Sequence, residues 1–118
     1  MNQLFTYGTI AQKEVQLEIV GRECAKVPAL LEGYEVCQGK WAYFVPKPGS
    51  LVAGWLIKDL SNEDIARFDE YEEAKELTDS HIYDRRLDEV RLQDGSFVTT
   101  WVYFPVLEKW PAEWLKSA

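Results

Sequence analysis

The chain is poor in the residues that most often bind metals or form covalent intermediates. Its 118 residues include one histidine, His81, and two cysteines, Cys24 and Cys37. The cysteine spacing matches no zinc-binding pattern, and so few cysteines are typical of a reducing compartment. Buried, unreactive cysteines are far commoner than nucleophilic ones. The sequence nevertheless excludes neither a nucleophilic Cys–His pair nor a disulfide between the two cysteines. We therefore predict no metal and no cofactor.

Two further absences narrow the location and the partners. No stretch approaches the roughly 20 apolar residues that span a bilayer, and the N-terminus lacks a basic region followed by an apolar run. The 13 basic residues are outnumbered by 20 acidic ones, the formal net charge is −7, and only Arg85 and Arg86 are adjacent. Nucleic acids and anionic membranes both require clustered basic residues. We therefore expect a cytoplasmic protein that binds neither.

What the chain does contain suits one folded domain, residues 1–118, because 47% of its residues are hydrophobic and 14% are aromatic. β-Branched and aromatic residues predict strands at 4–7, 51–57 and 97–104, and strand character also marks 83–92. The Asp-Gly pair between segments 83–92 and 97–104 is typical of a hairpin turn. Many strands around one clear helix predict an α+β domain with a small β-barrel or strongly curved sheet and flanking helices.

The clear helix is predicted at residues 62–71. Ser61 is a good N-cap, and Asp64 follows three residues later as a looser form of the capping box. Ile65 and Phe68 recur at helical spacing and should face the core. Glu72 lies one further turn along the same face.

Three other segments carry weaker signals. Residues 11–18 fit either a strand or a short helix, and residues 46–50, with two prolines and a glycine, are the clearest loop. In the tail, Trp110 and Trp114 have i, i+4 spacing and Pro111 stands near a helix start, so we predict a helix across 108–115.

Glu72 is the principal candidate for chemistry. One interpretation is a solvated charge run, since Glu70, Glu72, Glu73 and Glu76 follow one another closely. The alternative rests on placement, because a carboxylate on the same face as core residues is partly desolvated. Its pKa would then rise, which suits a general base.

Five motifs follow one another along the chain. They are residues 4–10, which end in Tyr-Gly-Thr-Ile, Gly54 within a later strand, Phe-Asp-Glu-Tyr-Glu ending at Glu72, Tyr-Asp-Arg at 83–85, and Trp-Val-Tyr ending at Tyr103. In these motifs and in their order the chain resembles the gamma-glutamyl cyclotransferase-like superfamily, and in particular its gamma-glutamylamine cyclotransferase-like branch. These markers extend over residues 4–103, which is nearly the whole chain.

The resemblance implies a small barrel flanked by helices, with a cavity at one end. It implies that the backbone of Tyr7, Gly8, Thr9 and Ile10 binds the polar end of the substrate and that Glu72 is the acid–base residue. The implied reaction is attack of a substrate α-amine on its own γ-carbonyl, which forms 5-oxoproline and releases an amine. This chemistry suits a site without a metal, because the nucleophile belongs to the substrate.

Three more residues are candidates for binding a small gamma-glutamyl or amino-acid-like molecule. Tyr83 and Arg85 alternate on a strand and share one face, so they either line the pocket or form a structural pair at the barrel rim. If they line it, Arg85 would meet a substrate carboxylate. Tyr103 either offers its hydroxyl to the cavity or belongs to the core.

The chain also departs from the family pattern in four places. Ile10 and Phe68 stand where leucine is usual, Trp55 follows the strand glycine, and Glu73 replaces a common glycine after the proposed base. Because a second carboxylate stands beside Glu72, the alternative of a non-catalytic small-molecule binding protein with the same cavity is not excluded. A third possibility is an interaction protein that uses the aromatic surface near Trp110. The sequence names neither the substrate nor the oligomeric state.

Overall fold

The computed structural model describes residues 1–39, 42–72 and 83–115. These residues form five strands, and their bounds are β1 Asn2–Thr6, β2 Lys26–Gln38, β3 Ala42–Leu60, β4 Tyr83–Leu92 and β5 Phe97–Pro105. Helix α1 spans Lys13–Val20 and helix α2 spans Asn62–Glu72. Short 3₁₀ turns lie at Thr9–Ala11, Leu107–Lys109 and Ala112–Trp114.

The strands close into a barrel in the order β1-β3-β2-β4-β5. β1 runs parallel to β5, and the other neighbouring pairs are antiparallel. The α+β class and the small mixed barrel with flanking helices are therefore confirmed. The strands at 4–7, 51–57 and 97–104 all belong to this sheet, as predicted. Among the helices of the described residues, none has the length and hydropathy needed to cross a bilayer.

Alternation along the strands produces two apolar clusters, one on each face of the sheet. Phe5 packs with residues from all five strands, including Leu56 and Val102, and this cluster fills the barrel. The preceding residue, Leu4, belongs to the second cluster with Ile57 and with Phe68 of α2. Since successive side chains of a strand point to opposite faces, each strand supports both clusters. The helix face predicted from its spacing is buried, with Ile65 5% and Phe68 0% exposed.

The start of α2 has the predicted capping box. The Ser61 hydroxyl accepts a hydrogen bond from the Asp64 N–H at 3.0 Å, and an Asp64 carboxylate oxygen accepts one from the Ser61 N–H at 2.9 Å. Arg22 adds two contacts to the same carboxylate, at 2.6 and 3.1 Å. The hydrogen bond from Arg22 is the main reason that the pKa of Asp64 falls to about 2. These contacts fix the direction in which α2 leaves β3.

The prediction of a loop at residues 46–50 is wrong, because this segment is part of β3. Tyr34 pairs with Pro46 and Glu32 pairs with Leu51, so one residue of β2, Gly33, faces four residues of β3. Gly33 and Gly49 both have φ of 88°, a conformation that glycine adopts without strain. The prolines and glycine therefore form a bulge inside one long strand instead of ending it.

Two other segments differ from expectation or are decided by the structure. Most of the ambiguous stretch at 11–18 is helical, since α1 begins at Lys13, and the buried residue of α1 is Gln16 rather than an alternating apolar set. The predicted helix at 108–115 is replaced by two 3₁₀ turns. Trp110 packs its ring against Tyr43, Tyr83 and Trp114, with centroids 5.4, 5.7 and 5.9 Å away. Aromatic packing, not a helical repeat, therefore holds the tail on the barrel.

Candidate active site

A cavity of about 500 Å³ lies at one end of the barrel. It is formed where β1 ends, where β3 and β4 begin, and where α2 reaches its last turn. Its lining residues are Phe5, Thr6, Tyr7, Gly8, Thr9, Ala42, Tyr71, Glu72, Tyr83, Val102, Tyr103 and Trp114. Six of the eight residues chosen as site candidates, including the proposed base Glu72, thus line one cavity.

Glu72 is the last residue of α2 and one turn beyond the buried Phe68. Its carboxylate lies in the cavity wall and is half-buried. Burial disfavours the charged form and raises the pKa of Glu72 to about 7. At neutral pH the group can therefore both accept and return a proton.

Three tyrosines of the lining surround this carboxylate. Burial is the main cause that raises the pKa of Tyr7, Tyr83 and Tyr103, and the negative charge of Glu72 raises each further. Their hydroxyls therefore keep their hydrogens at neutral pH. The hydroxyls of Tyr7 and Tyr83 each donate to the Ala42 carbonyl at 3.4 Å.

The turn after β1 forms another part of the cavity wall. The Gly8 N–H donates to the Thr6 hydroxyl at 3.2 Å, and the Gly8 carbonyl accepts from the Ala11 N–H at 3.2 Å. The hydroxyls of Thr9 and Tyr71 are 2.8 Å apart, although these residues are 62 positions apart in the sequence. This contact ties the turn to the end of α2 that carries Glu72.

Two candidates lie outside the cavity lining. Ile10 is 1% exposed, and its side chain packs in the cluster between the barrel and the helices. Its carbonyl accepts from the buried Gln16 amide at 2.9 Å, and Gln16 in turn accepts from the Cys24 N–H at 2.8 Å. Ile10 therefore anchors the turn, and any contact with a ligand is limited to its backbone.

Arg85 is engaged by the protein itself. Its guanidinium donates to both oxygens of Asp69, at 2.8 and 3.1 Å, and lies 4.1 Å from the Trp101 ring centre. Asp69 also accepts from the Tyr103 hydroxyl at 2.8 Å. In this structure the guanidinium therefore pairs with Asp69, and its contact with a substrate carboxylate stays a prediction.

The structure also identifies residues that sequence reasoning passed over. Tyr71 and Asp69 stand inside the Phe-Asp-Glu-Tyr-Glu motif, which was a usable signal, whereas Ala42 and Trp114 carry none. Cys24 and Cys37 are free thiols, so the disulfide left open by the sequence is absent. His81 and Glu73 lie outside the described residues.

The fold is shared with known structures. The Arabidopsis thaliana protein At3g28950.1 is 25% identical, with a TM-score of 0.78, and the match covers 99% of this chain and 69% of that one. A second Arabidopsis thaliana protein is 17% identical, with a TM-score of 0.77 and coverage of 99% and 76%. A structure named gamma-glutamyl cyclotransferase is 20% identical, with a TM-score of 0.73 and coverage of 89% and 66%. These likenesses define the class of fold.

The family follows from the sequence match. The model of the family "Gamma-glutamyl cyclotransferase, AIG2-like" matches residues 4–116, which is nearly the whole chain. The chain therefore belongs to this family. No protein of curated function matches it by sequence.

Proposed function

We propose that the protein is a cytoplasmic enzyme that converts a small gamma-glutamyl compound into 5-oxoproline and a free amine. The observation that carries this proposal is the meeting of the Glu72 carboxylate and the Tyr7–Gly8–Thr9 turn in one cavity. Membership of the family supports the reaction class. The half-buried carboxylate, with a pKa of about 7, supports the assignment of Glu72 as the base.

In the proposed mechanism Glu72 carries protons between two nitrogens of the substrate. It takes one proton from the α-ammonium group, and the freed lone pair attacks the γ-carbonyl carbon. The protonated Glu72 then delivers that proton to the leaving nitrogen as its bond to carbon breaks. The ring nitrogen gives up a second proton, which also ends on the released amine, and it keeps one hydrogen in the lactam. Because the two reacting groups belong to one molecule, a folded substrate pose supplies much of the rate.

The turn after β1 is the proposed binding place for the polar end of the substrate. The Gly8 N–H faces Thr6 in the free protein, so a substrate oxygen at this group would replace a hydrogen bond of 3.2 Å. The backbone of Tyr7, Thr9 and Ile10 is proposed to complete this binding place, with Tyr7 and Thr9 in the cavity lining and Ile10 directly beyond it. Tyr83 and Tyr103 would contact the substrate through their hydroxyls, and Arg85 would act on it only through Asp69.

The test is direct measurement of 5-oxoproline after incubation with a panel of gamma-glutamyl amines, amides and dipeptides, as a function of pH. A base with a pKa of about 7 must be ionised to accept the first proton. We therefore expect kcat/KM to rise about tenfold per pH unit below 7 and to level off above it. Tight binding of an amino-acid-like ligand without 5-oxoproline from any compound would contradict the reaction and favour the binding protein.

Gly8→Ala separates binding from folding. Gly8 has φ −116° and ψ −152°, an extended backbone that alanine also adopts, and an added Cβ would meet no atom within 4 Å. Because Gly8 lines the cavity, we expect the added methyl group to take space that a bound substrate would need. We expect an unchanged melting temperature and a KM raised by about tenfold or more, on the scale of a lost hydrogen bond plus crowding. A variant with unchanged KM would place the substrate elsewhere.

A further inference from the structure

Tyr103 lines the cavity, and the one hydrogen of its hydroxyl group is already donated within the protein. Its O–H donates to Asp69 at 2.8 Å, and the described residues that line the cavity include Tyr103 but not Asp69. A phenol has one hydrogen, so after this donation the oxygen has only lone pairs to offer a ligand. Any hydrogen bond between the Tyr103 hydroxyl and a molecule in the cavity would therefore be one that its oxygen accepts.

The direction of this hydrogen bond is held by a charged contact behind it. Asp69 is an acceptor in its ionised form, and Arg85 donates to both of its oxygens. The two side chains are only 20% and 23% exposed, and Trp101 covers the guanidinium. Fork-shaped contacts between arginine and a carboxylate are geometrically specific, so Asp69 cannot easily rotate to release the Tyr103 hydrogen.

We propose that the Tyr103 oxygen accepts a hydrogen bond from the α-amino group of the substrate, and that Asp69 is the positioning residue that keeps this oxygen an acceptor. The proposal rests on the proposed function for the identity of the substrate. Glu72 lines the same cavity and removes one proton from the α-ammonium group. A hydrogen bond to Tyr103 from one remaining N–H then directs the nitrogen lone pair toward the γ-carbonyl carbon.

Two probes test the acceptor directly, L-glutamate and glutarate, which lacks the α-amine. We expect the wild type to bind L-glutamate more tightly by calorimetry. Tyr103→Phe leaves the Asp69–Arg85 pair in place and should weaken L-glutamate binding about tenfold, while changing glutarate binding by no more than about twofold. Equal weakening for both probes, or a wild type that binds them equally, would overturn the proposal.

Asp69→Asn tests the positioning role in two backgrounds. The amide can donate to Tyr103 and let its hydrogen turn toward the ligand, so L-glutamate affinity and kcat should fall about tenfold. In the Tyr103→Phe background the same change should have little effect, because no hydroxyl remains to be oriented. A full loss there as well would mean that Asp69 acts only on the fold. The matched control is Glu63→Gln, which breaks the exposed contact with Arg67 on the same helix and should change neither quantity.

Two further results complete the test. If Asp69→Asn does not fold, Arg85→Lys is measured instead, because lysine keeps the positive charge but cannot make the fork-shaped contact with the Asp69 carboxylate. Unchanged L-glutamate affinity in Arg85→Lys would contradict the positioning role of Asp69. If no gamma-glutamyl compound yields 5-oxoproline but Tyr103→Phe still removes the preference for L-glutamate over glutarate, the proposed reaction is rejected. The proposed contact between Tyr103 and the α-amino group is then still supported. If 5-oxoproline is formed but the wild type does not prefer L-glutamate to glutarate, only the proposed contact between Tyr103 and the α-amino group is rejected.

Discussion

Glu72→Gln is expected to lower kcat for the active gamma-glutamyl compound by about 10² to 10⁴, the usual contribution of a general base. Glutamine has nearly the same size and keeps the cavity wall, but it cannot accept a proton at neutral pH. Binding of an unreactive ligand should therefore change little. The measurement is steady-state kinetics together with ligand titration on both proteins.

The same substitution should alter stability in a pH-dependent way. Burial raises the pKa of Glu72 from 4.5 to about 7, so the folded protein holds this proton more tightly than the unfolded chain does. The corresponding stability is fully present below pH 4.5 and is lost as the pH rises through 7. Glu72→Gln should therefore match the wild type near pH 4 and exceed its unfolding free energy at pH 9 by on the order of 1 to 3 kcal/mol.

The matched control is Glu70→Gln, because Glu70 is exposed on the same helix. It should lose little activity and show no gain in stability at high pH. Glu73→Gln, the control that the sequence suggests, falls at a residue outside the described ones and is expected to cost much less activity than Glu72→Gln. Equal losses for Glu72→Gln and either control, or full activity in Glu72→Gln, would assign the base to another group.

Gly54→Ala is expected to destabilise the protein by about 2 to 3 kcal/mol, the scale of overpacking in a close-packed core. A Cβ on Gly54 would lie 2.5 Å from the Thr6 carbonyl oxygen and 2.8 Å from the Phe5 ring. The first of these atoms is backbone, so β1 itself must move away from β3. Urea unfolding should give a lower midpoint with an unchanged slope.

Activity should fall in the same variant, since Thr6 leads directly into the Tyr7–Gly8 turn. The control is Gly8→Ala, which replaces a glycine two residues along from Thr6 where the added atom meets nothing. Stability should separate the two variants, with Gly54→Ala destabilised and Gly8→Ala unchanged. A Gly54→Ala protein with wild-type stability would show that β1 and β3 can separate without cost.

Local chemistry made much of the fold and the position of Glu72 predictable from the sequence. The capping box at Ser61 and Asp64, and the burial of Ile65 and Phe68, depend on contacts within one or two helical turns. The placement of Glu72 on that face follows from the same repeat. The strands at 51–57 and 97–104 were visible because β-branched and aromatic residues are concentrated in them.

Only barrel closure decided the remaining features, because they depend on neighbours that are distant in the sequence. The segment at 46–50 has the composition of a loop, yet pairing with β2 on both sides keeps it in β3 as a bulge. The tail has helical spacing, yet the rings around Trp110 hold it in 3₁₀ turns. Arg85 alternates with Tyr83 as expected, but Asp69 of α2 lies close enough to pair with it. A carboxylate at 2.8 Å determines the role of an arginine more strongly than its position on a strand does, and that distance exists only in the closed barrel.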